Sequence, residues 1–186
     1  MTIDVGAAIL AGGAGRRMGG VVKALIEVEG VAILDRQLAV LRQLCTEIAI
    51  AGGDPAQLGG RGVPVLADAV PGAGPLAGIA AALAASRALH VLCVACDMPY
   101  LDPAVLRQLC AAAAPGVDAV VPIVDGRPLP VCTVYARSCL ELILDRLDRG
   151  QRRASDVVAD SRLRVVSIQF HAEPSFRNVN TPDDLR

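Results

Sequence analysis

The amino-acid sequence predicts an α/β domain with a mainly parallel sheet and helices on both faces. Three observations predict it. Apolar runs alternate with helical stretches along the chain, a pattern that calls for crossover connections. The 186 residues suffice for one domain with a sizeable core. The composition is 53% hydrophobic but only 2% aromatic, so that core is built from Ala, Val, Leu and Ile.

Each element has its own signal. Residues 5–10 form a first strand that ends abruptly in glycines. Residues 32–45 form a helix whose apolar stripe is Leu34, Leu38, Leu41 and Cys45. Residues 47–51 are a second strand, stopped by Gly52-Gly53-Asp54-Pro55, and residues 64–67 a short third one. Residues 75–88 form a helix with Pro75 at its first position. Residues 91–96 are a fourth strand. Residues 103–113 form a helix capped by Asp102 and begun by Pro103. Residues 119–122 are a fifth strand, and residues 129–135 a strand leading into a helix at 136–147. Residues 164–167 and 176–180 read as short strands. No internal repeat or linker interrupts the pattern, so residues 1–186 are expected to form one domain, with 71–75 a loop within it.

Composition excludes several function classes. A net charge of −1, two Tyr, two Phe and no Trp leave little with which to coat or stack nucleic acid. The longest apolar stretch, residues 74–96, carries Pro75, Gly78, Arg87 and His90, so it reads as a buried helix and strand, not a membrane span. No basic segment precedes the first apolar run, and six cysteines in a chain without a leader point to reduced thiols in the cytoplasm. Cys93 and Cys96 have C-x-x-C spacing, but on a strand positions i and i+3 face opposite ways, so the pair reads as core and not as a redox or zinc site.

The densest chemical signal lies where the first strand ends. Leu10-Ala11-Gly12-Gly13 opens a glycine-rich loop that carries Arg16, Arg17 and Lys23. Glycines let backbone N–H groups approach an anion, and the three cations suit a nucleoside triphosphate. The loop fits neither common phosphate template. Lys23 follows Val22 and precedes Ala24, unlike the P-loop lysine, and Met18 occupies the last glycine position of the dinucleotide fingerprint. Asp97 ends the fourth strand, and ligands of parallel sheets bind outside the carboxyl ends of strands. A carboxylate there can hold Mg²⁺; the competing reading is a turn aspartate before Pro99.

The pattern Leu-Ala-Gly-Gly-x-x-x-Arg-Met-Gly-Gly-x-x-Lys over residues 10–23 resembles the opening loop of the molybdenum cofactor guanylyltransferases. Three further segments carry the resemblance: Asp97-Met98-Pro99, the block Pro71-Gly72-Ala73-Gly74-Pro75-Leu76-Ala77-Gly78, and the closing Asn178-Val179-Asn180-Thr181-Pro182-Asp183-Asp184-Leu185. The resemblance covers nearly the whole chain. It implies a single-domain, Rossmann-like nucleotidyltransferase that joins GMP from GTP to molybdenum-bound molybdopterin and releases pyrophosphate.

It also implies roles. Asp97, Lys23 and Arg16 would be catalytic, with Mg²⁺ on Asp97. Leu10, Ala11, Gly12, Gly13, Lys23, Asp68, Gly78 and Asp97 would bind the nucleotide. Asp68 would accept bonds from guanine N–H groups or a ribose hydroxyl, its competing reading being a loop cap; Gly78 would leave room for the nucleotide. Asn178 and Asn180 would support Mg²⁺ or the pterin acceptor, although they also suit capping. Apart from the resemblance, a negatively charged pterin phosphate would suit Arg152 and Arg153, which also suit a solvated face. The expected partners are GTP, the molybdopterin cofactor, and molybdoenzymes or their chaperones; neither nucleic acid nor membrane is expected, and the protein should be a monomer.

Two positions depart from the family pattern. Val22 stands where Asp often precedes the lysine, and Gly53 where many members have Asn. Both departures leave open transfer of CMP or another nucleotide. They also leave open an accessory protein that binds nucleotide without chemistry.

Overall fold

The computed structural model describes residues 4–12 and 22–179. Its frame is one sheet. In chain order the elements are β1 (Gly6–Leu10), β2 (Glu27–Val28), β3 (Val31–Ala32), α1 (Ile33–Leu41), β4 (Ile48–Ala51), α2 (Pro55–Leu58), β5 (Val65–Leu66), α3 (Pro75–Ala85) and β6 (His90–Ala95). They continue with α4 (Pro103–Ala111), β7 (Ala119–Val124), β8 (Arg127–Pro128), β9 (Cys132–Ala136), α5 (Cys139–Asp148), α6 (Ala154–Val158) and β10 (Val165–Phe170). The main sheet runs β10-β7-β9-β6-β1-β4-β5, with β8 beside β7. β1 pairs in parallel with both β4 and β6, and β4 with β5. β9 runs antiparallel between β6 and β7.

Strand alternation sorts the core into two layers. On β1, Ala7 and Ile9 pack with the α1 and α4 side chains Leu34, Leu38, Leu106 and Leu109. Ala8 and Leu10 point the other way, to Leu76, Ile79 and Leu83 of α3 and to Cys139 and Ile143 of α5. Helices thus cover both faces, as the alternating pattern predicted. Small side chains make this possible. Ala77, Ala80 and Ala82 of α3 are buried, so the helix seats close to the sheet. Cys93 and Cys96 fall on opposite layers, and burial pushes the Cys96 thiol up to about 12. This is packing chemistry.

Several local readings change; the helix expected at 75–88 closes at Ala85, and that expected at 136–147 begins at Cys139. The helix expected at 32–45 closes at Leu41, and residues 42–44 form a turn. The strand expected at 129–135 begins only at Cys132. Asp125 and Gly126, both with positive φ, first turn the chain back to place β8 on β7. Pro122 lacks an N–H, and the β7–β9 pairing ends at Val120; the Pro122 carbonyl accepts instead from the Leu129 amide at 3.0 Å. The strand expected at 176–180 is replaced, over its described part, by a 3-10 turn, Pro174–Phe176, capped by Glu173. Arg177 after it is extended, and the Val179 N–H bonds to Asp97 O at 2.7 Å instead of joining a ladder.

β9 depends on one buried phenol. Tyr135 is fully buried, and its hydroxyl donates to Pro130 O at 2.7 Å. Burial raises the Tyr135 pKa well above its ordinary value, so the hydroxyl remains a donor. Tyr135→Phe leaves that carbonyl without its donor and is expected to cost about 1–2 kcal/mol, read as a lower urea midpoint with an unchanged m-value.

Candidate active site

The strand order reverses at β1. The chain leaves β1 toward β4 and leaves β6 toward β7, on the opposite side. Their carboxyl ends therefore open onto a shared crevice, the usual ligand position in such sheets. Leu10 is in register with Ala95. Ala11 and Gly12 leave one strand, and Cys96 and Asp97 the other.

Lys23 begins a 3-10 turn, Lys23–Leu25, that packs on α1. Its Nζ lies 3.4 Å from Asp97 Oδ2, the side chains being 30% and 17% exposed. The ion pair is loose, and it uses only one oxygen of the carboxylate. Asp97 Oδ1 is buried without a hydrogen-bond partner among the described residues. A buried carboxylate oxygen in that state calls for a cation or donor. One carboxylate beside substrate phosphates and water is a common donor set for Mg²⁺, so the residues present fit that ion. No cluster of three or more His, Cys, Asp or Glu suited to a metal occurs among the described residues, so phosphate oxygens and water would have to complete the shell.

Asp68 forms the second half of the crevice, two residues beyond β5. A side chain at Gly12 would place its Cβ 2.7 Å from Asp68 Oδ2, and one at Gly52 would place it 2.5 Å from Gly12 Cα. Gly52 has φ +80°, so it is held to glycine by conformation as well as by space. Gly78, the fourth residue of α3, faces Leu10, Ala51 and Asp68. The amides of Ala11 and Gly12 both donate to Ala51 O, at 2.8 and 3.2 Å. Asp68 Oδ1 is buried and lacks a partner among the described residues, and desolvation raises the Asp68 pKa.

The expected residues distribute as follows. Leu10, Ala11, Gly12, Lys23, Asp68, Gly78 and Asp97 line or flank this crevice. Gly13, Arg16 and Asn180 lie outside the described residues. The closing segment does return to the site, since Val179 bonds the Asp97 carbonyl and packs with Ile26, Val28 and Ile33, but the Asn178 side chain is exposed. Arg152 reaches across from the residues before α6 to Gly72 O at 3.4 Å, on the loop that follows Asp68; Arg153 is exposed beside it. Val22 packs partly buried against the core, and Gly53 turns with φ +81°. His90 bonds Val117 O at the opposite end of β6, remote from Asp97.

The sequence reading missed Gly52, which it took only as a strand stop, and Gln37. The signal for Gln37 was a polar residue on the buried stripe that Leu34, Leu38 and Leu41 define.

Residues 7–165 match the model of the MobA-like NTP transferase domain. A probable molybdenum cofactor guanylyltransferase from Pelotomaculum thermopropionicum is 36% identical, over 95% of this chain and 88% of that one. A molybdenum cofactor guanylyltransferase from Acidiphilium cryptum is 38% identical, over 96% and 91%. Among solved structures, molybdopterin-guanine dinucleotide biosynthesis protein A from Archaeoglobus fulgidus superposes with a TM-score of 0.79 at 30% identity, covering 97% of this chain and 95% of that one. The 2-C-methyl-D-erythritol 4-phosphate cytidylyltransferase from Thermus thermophilus, 20% identical with a TM-score of 0.72, shares the fold.

The raised Asp68 pKa has a consequence for stability. A carboxyl titrating higher in the folded than in the unfolded state favours folding while protonated, and that contribution is lost as pH rises through the folded value. At neutral pH the charge therefore opposes folding. Asp68→Asn is expected to raise Tm at pH 7 while weakening nucleotide binding, and its stability advantage should disappear as pH falls below the ordinary aspartate range. Calorimetric melts at several pH values check both the sign and the window.

Proposed function

The chain belongs to the MobA-like NTP transferase family, and we propose that it is a molybdenum cofactor guanylyltransferase. The reaction joins GMP from GTP to the terminal phosphate of molybdenum-bound molybdopterin. A phosphate oxygen of the acceptor attacks the α-phosphorus; a P–O–P bond forms, the α–β bridge breaks, and pyrophosphate leaves. What carries the reading is the loose Lys23–Asp97 pair at the shared mouth of β1 and β6, with one carboxylate oxygen left unpaired. Near-full-length likeness to chains bearing that name supports the choice of GTP and molybdopterin.

The attacking phosphate is already ionised at neutral pH, so the reaction needs no strong base, and neither histidine is placed to be one. Catalysis then rests on positioning and charge neutralisation. Asp97 would hold Mg²⁺ through Oδ1, and the ion would supply Lewis-acid stabilisation of charge on the phosphates. Lys23, beside Asp97 Oδ2, would contact a phosphate oxygen of the nucleotide. Asp68 would offer its unpaired acceptor to the guanine N–H edge or the ribose, where Gly12 and Gly52 let the backbone pass close to the carboxylate. Gly13 and Arg16 enter from the sequence pattern alone, as a backbone contact and a triphosphate cation. Arg152, beside the loop after Asp68, is the best placed of the acceptor candidates; Arg153, Asn178 and Asn180 join it on sequence grounds.

We assign the protein to the cytoplasm as a monomeric single-domain enzyme that hands product to molybdoenzymes or their chaperones. The described cysteines are all free, as a reducing compartment requires. No helix among the described residues is long and apolar enough to cross a membrane.

Calorimetry with GTP, CTP and ATP tests the nucleotide half directly. Selective GTP binding strengthened by Mg²⁺ is expected; a preference for CTP would move the chain to cytidylyl transfer, and GTP binding without pyrophosphate release on any acceptor would make it an accessory protein. Asp97→Asn and Lys23→Met should each lower turnover by at least about 10²-fold while leaving the circular dichroism spectrum and cooperative melt in place. Near-full activity in Asp97→Asn would overturn the mechanism.

A further inference from the structure

Gln37 is the most unusual polar residue of the core. It lies on α1, is 1% exposed, and takes a position on the stripe of Leu34, Leu38 and Leu41. Its Nε2 donates to Ala95 O at 2.7 Å and to Met98 O at 2.9 Å. These two carbonyls bracket Cys96 and Asp97. Two acceptors fix the orientation of the amide, because a flip would turn its oxygen against both carbonyls. The Gln37 Oε1 left over is buried with no partner among the described residues. A leucine would fill this place but leave the Ala95 and Met98 carbonyls without this donor, so what the amide adds over packing is its hold on those two carbonyls.

The neighbouring bonds tie the same segment down from other sides. Cys96 N donates to Leu10 O at 3.3 Å, and Val179 N to Asp97 O at 2.7 Å. Arg36, next to Gln37, bonds Pro99 O through Nε at 3.3 Å and Val28 O through Nη1 at 3.1 Å. Helix α1 thus holds residues 95–99, and it also packs against the turn that carries Lys23. Within this set, Gln37 is the side chain bonded on both sides of Asp97.

We propose that Gln37 is a positioning residue: by clamping the carbonyls of Ala95 and Met98 it holds the Asp97 carboxylate in the geometry that receives a divalent cation. The inference rests on Asp97 being the metal carboxylate. Groups that orient a metal's ligand typically change metal affinity by 10–100-fold when lost.

The test is Mn²⁺ binding by electron paramagnetic resonance, with GTP present, for the full chain and for Asp97→Asn, Gln37→Met and Gln37→Asn. The Met variant keeps length and removes both donors; the Asn variant keeps an amide too short to reach either carbonyl. We expect Mn²⁺ affinity about 10-fold weaker in the Gln37 variants, GTP affinity without metal unchanged, and a half-saturating Mg²⁺ for turnover raised by a similar factor. Unchanged Mn²⁺ affinity in either folded Gln37 variant, with binding lost in Asp97→Asn, would overturn the role of Gln37 alone. Unchanged affinity in Asp97→Asn would overturn the reading of Asp97 and this inference with it. Failure of both Gln37 variants to fold would also overturn it, because the amide would then be serving the fold.

Discussion

The parallel pairing of β1 with β6 is the contact on which the rest of the site depends. It sets Leu10 beside Ala95, and so brings together two loops that are more than 80 residues apart in the chain. The chain reaches this pairing only by completing β4 and β5 on one side and returning through α3. Every residue of β1 is buried, which leaves its register little freedom: a slip by one would exchange the α1 and α3 faces.

Around that junction the protein accumulates groups that a fold optimised for stability would avoid. Among the described residues Asp68 and Asp97 each keep a buried oxygen without a partner, and Gln37 keeps a third. Gly12 and Gly52 give up side chains because the backbone and Asp68 approach too closely to admit a Cβ, and Gly78 packs tightly beside Leu10. Such concentration of local cost in one crevice is what binding a charged, donor-rich ligand would offset. Acids elsewhere among the described residues that serve the fold are satisfied, although Arg146 Nε on α5 is also buried without a partner. Glu47 accepts from the amides of Arg87 and Ala88, and Asp102 caps α4. The contrast between satisfied structural acids and unsatisfied crevice acids separates the two kinds in a way that their residue types do not.

Alanine content has a bearing on this arrangement. With few aromatics, the layers are closed by bringing α3 near the sheet, and that close approach puts Gly78 beside Asp68 and Leu10. The main aromatic contact, the edge-on pair Phe170 and Phe176, lies at the end of β10 and secures the segment that leads to Val179 and the Asp97 carbonyl.

Much of the frame was legible because it rests on local rules. Strand burial, Pro75 and Pro103 as first helical residues, and Asp102 as a cap are written in neighbouring positions, and each formed as read. So were the chemical types at Lys23, Asp68 and Asp97, since a glycine-rich strand end with cations and acids at other strand ends is itself a local pattern. The antiparallel β9, the β8 return and the loss of a strand after Phe176 were not, because strand pairing is chosen by partners distant in sequence, and Pro122 and Asp97 O decide where those pairings stop. The partnering of each acid was likewise beyond local reading: whether Asp97 and Asp68 are satisfied, and what Gln37 holds, depends on which carbonyls and amides the folded chain brings within three ångströms of them.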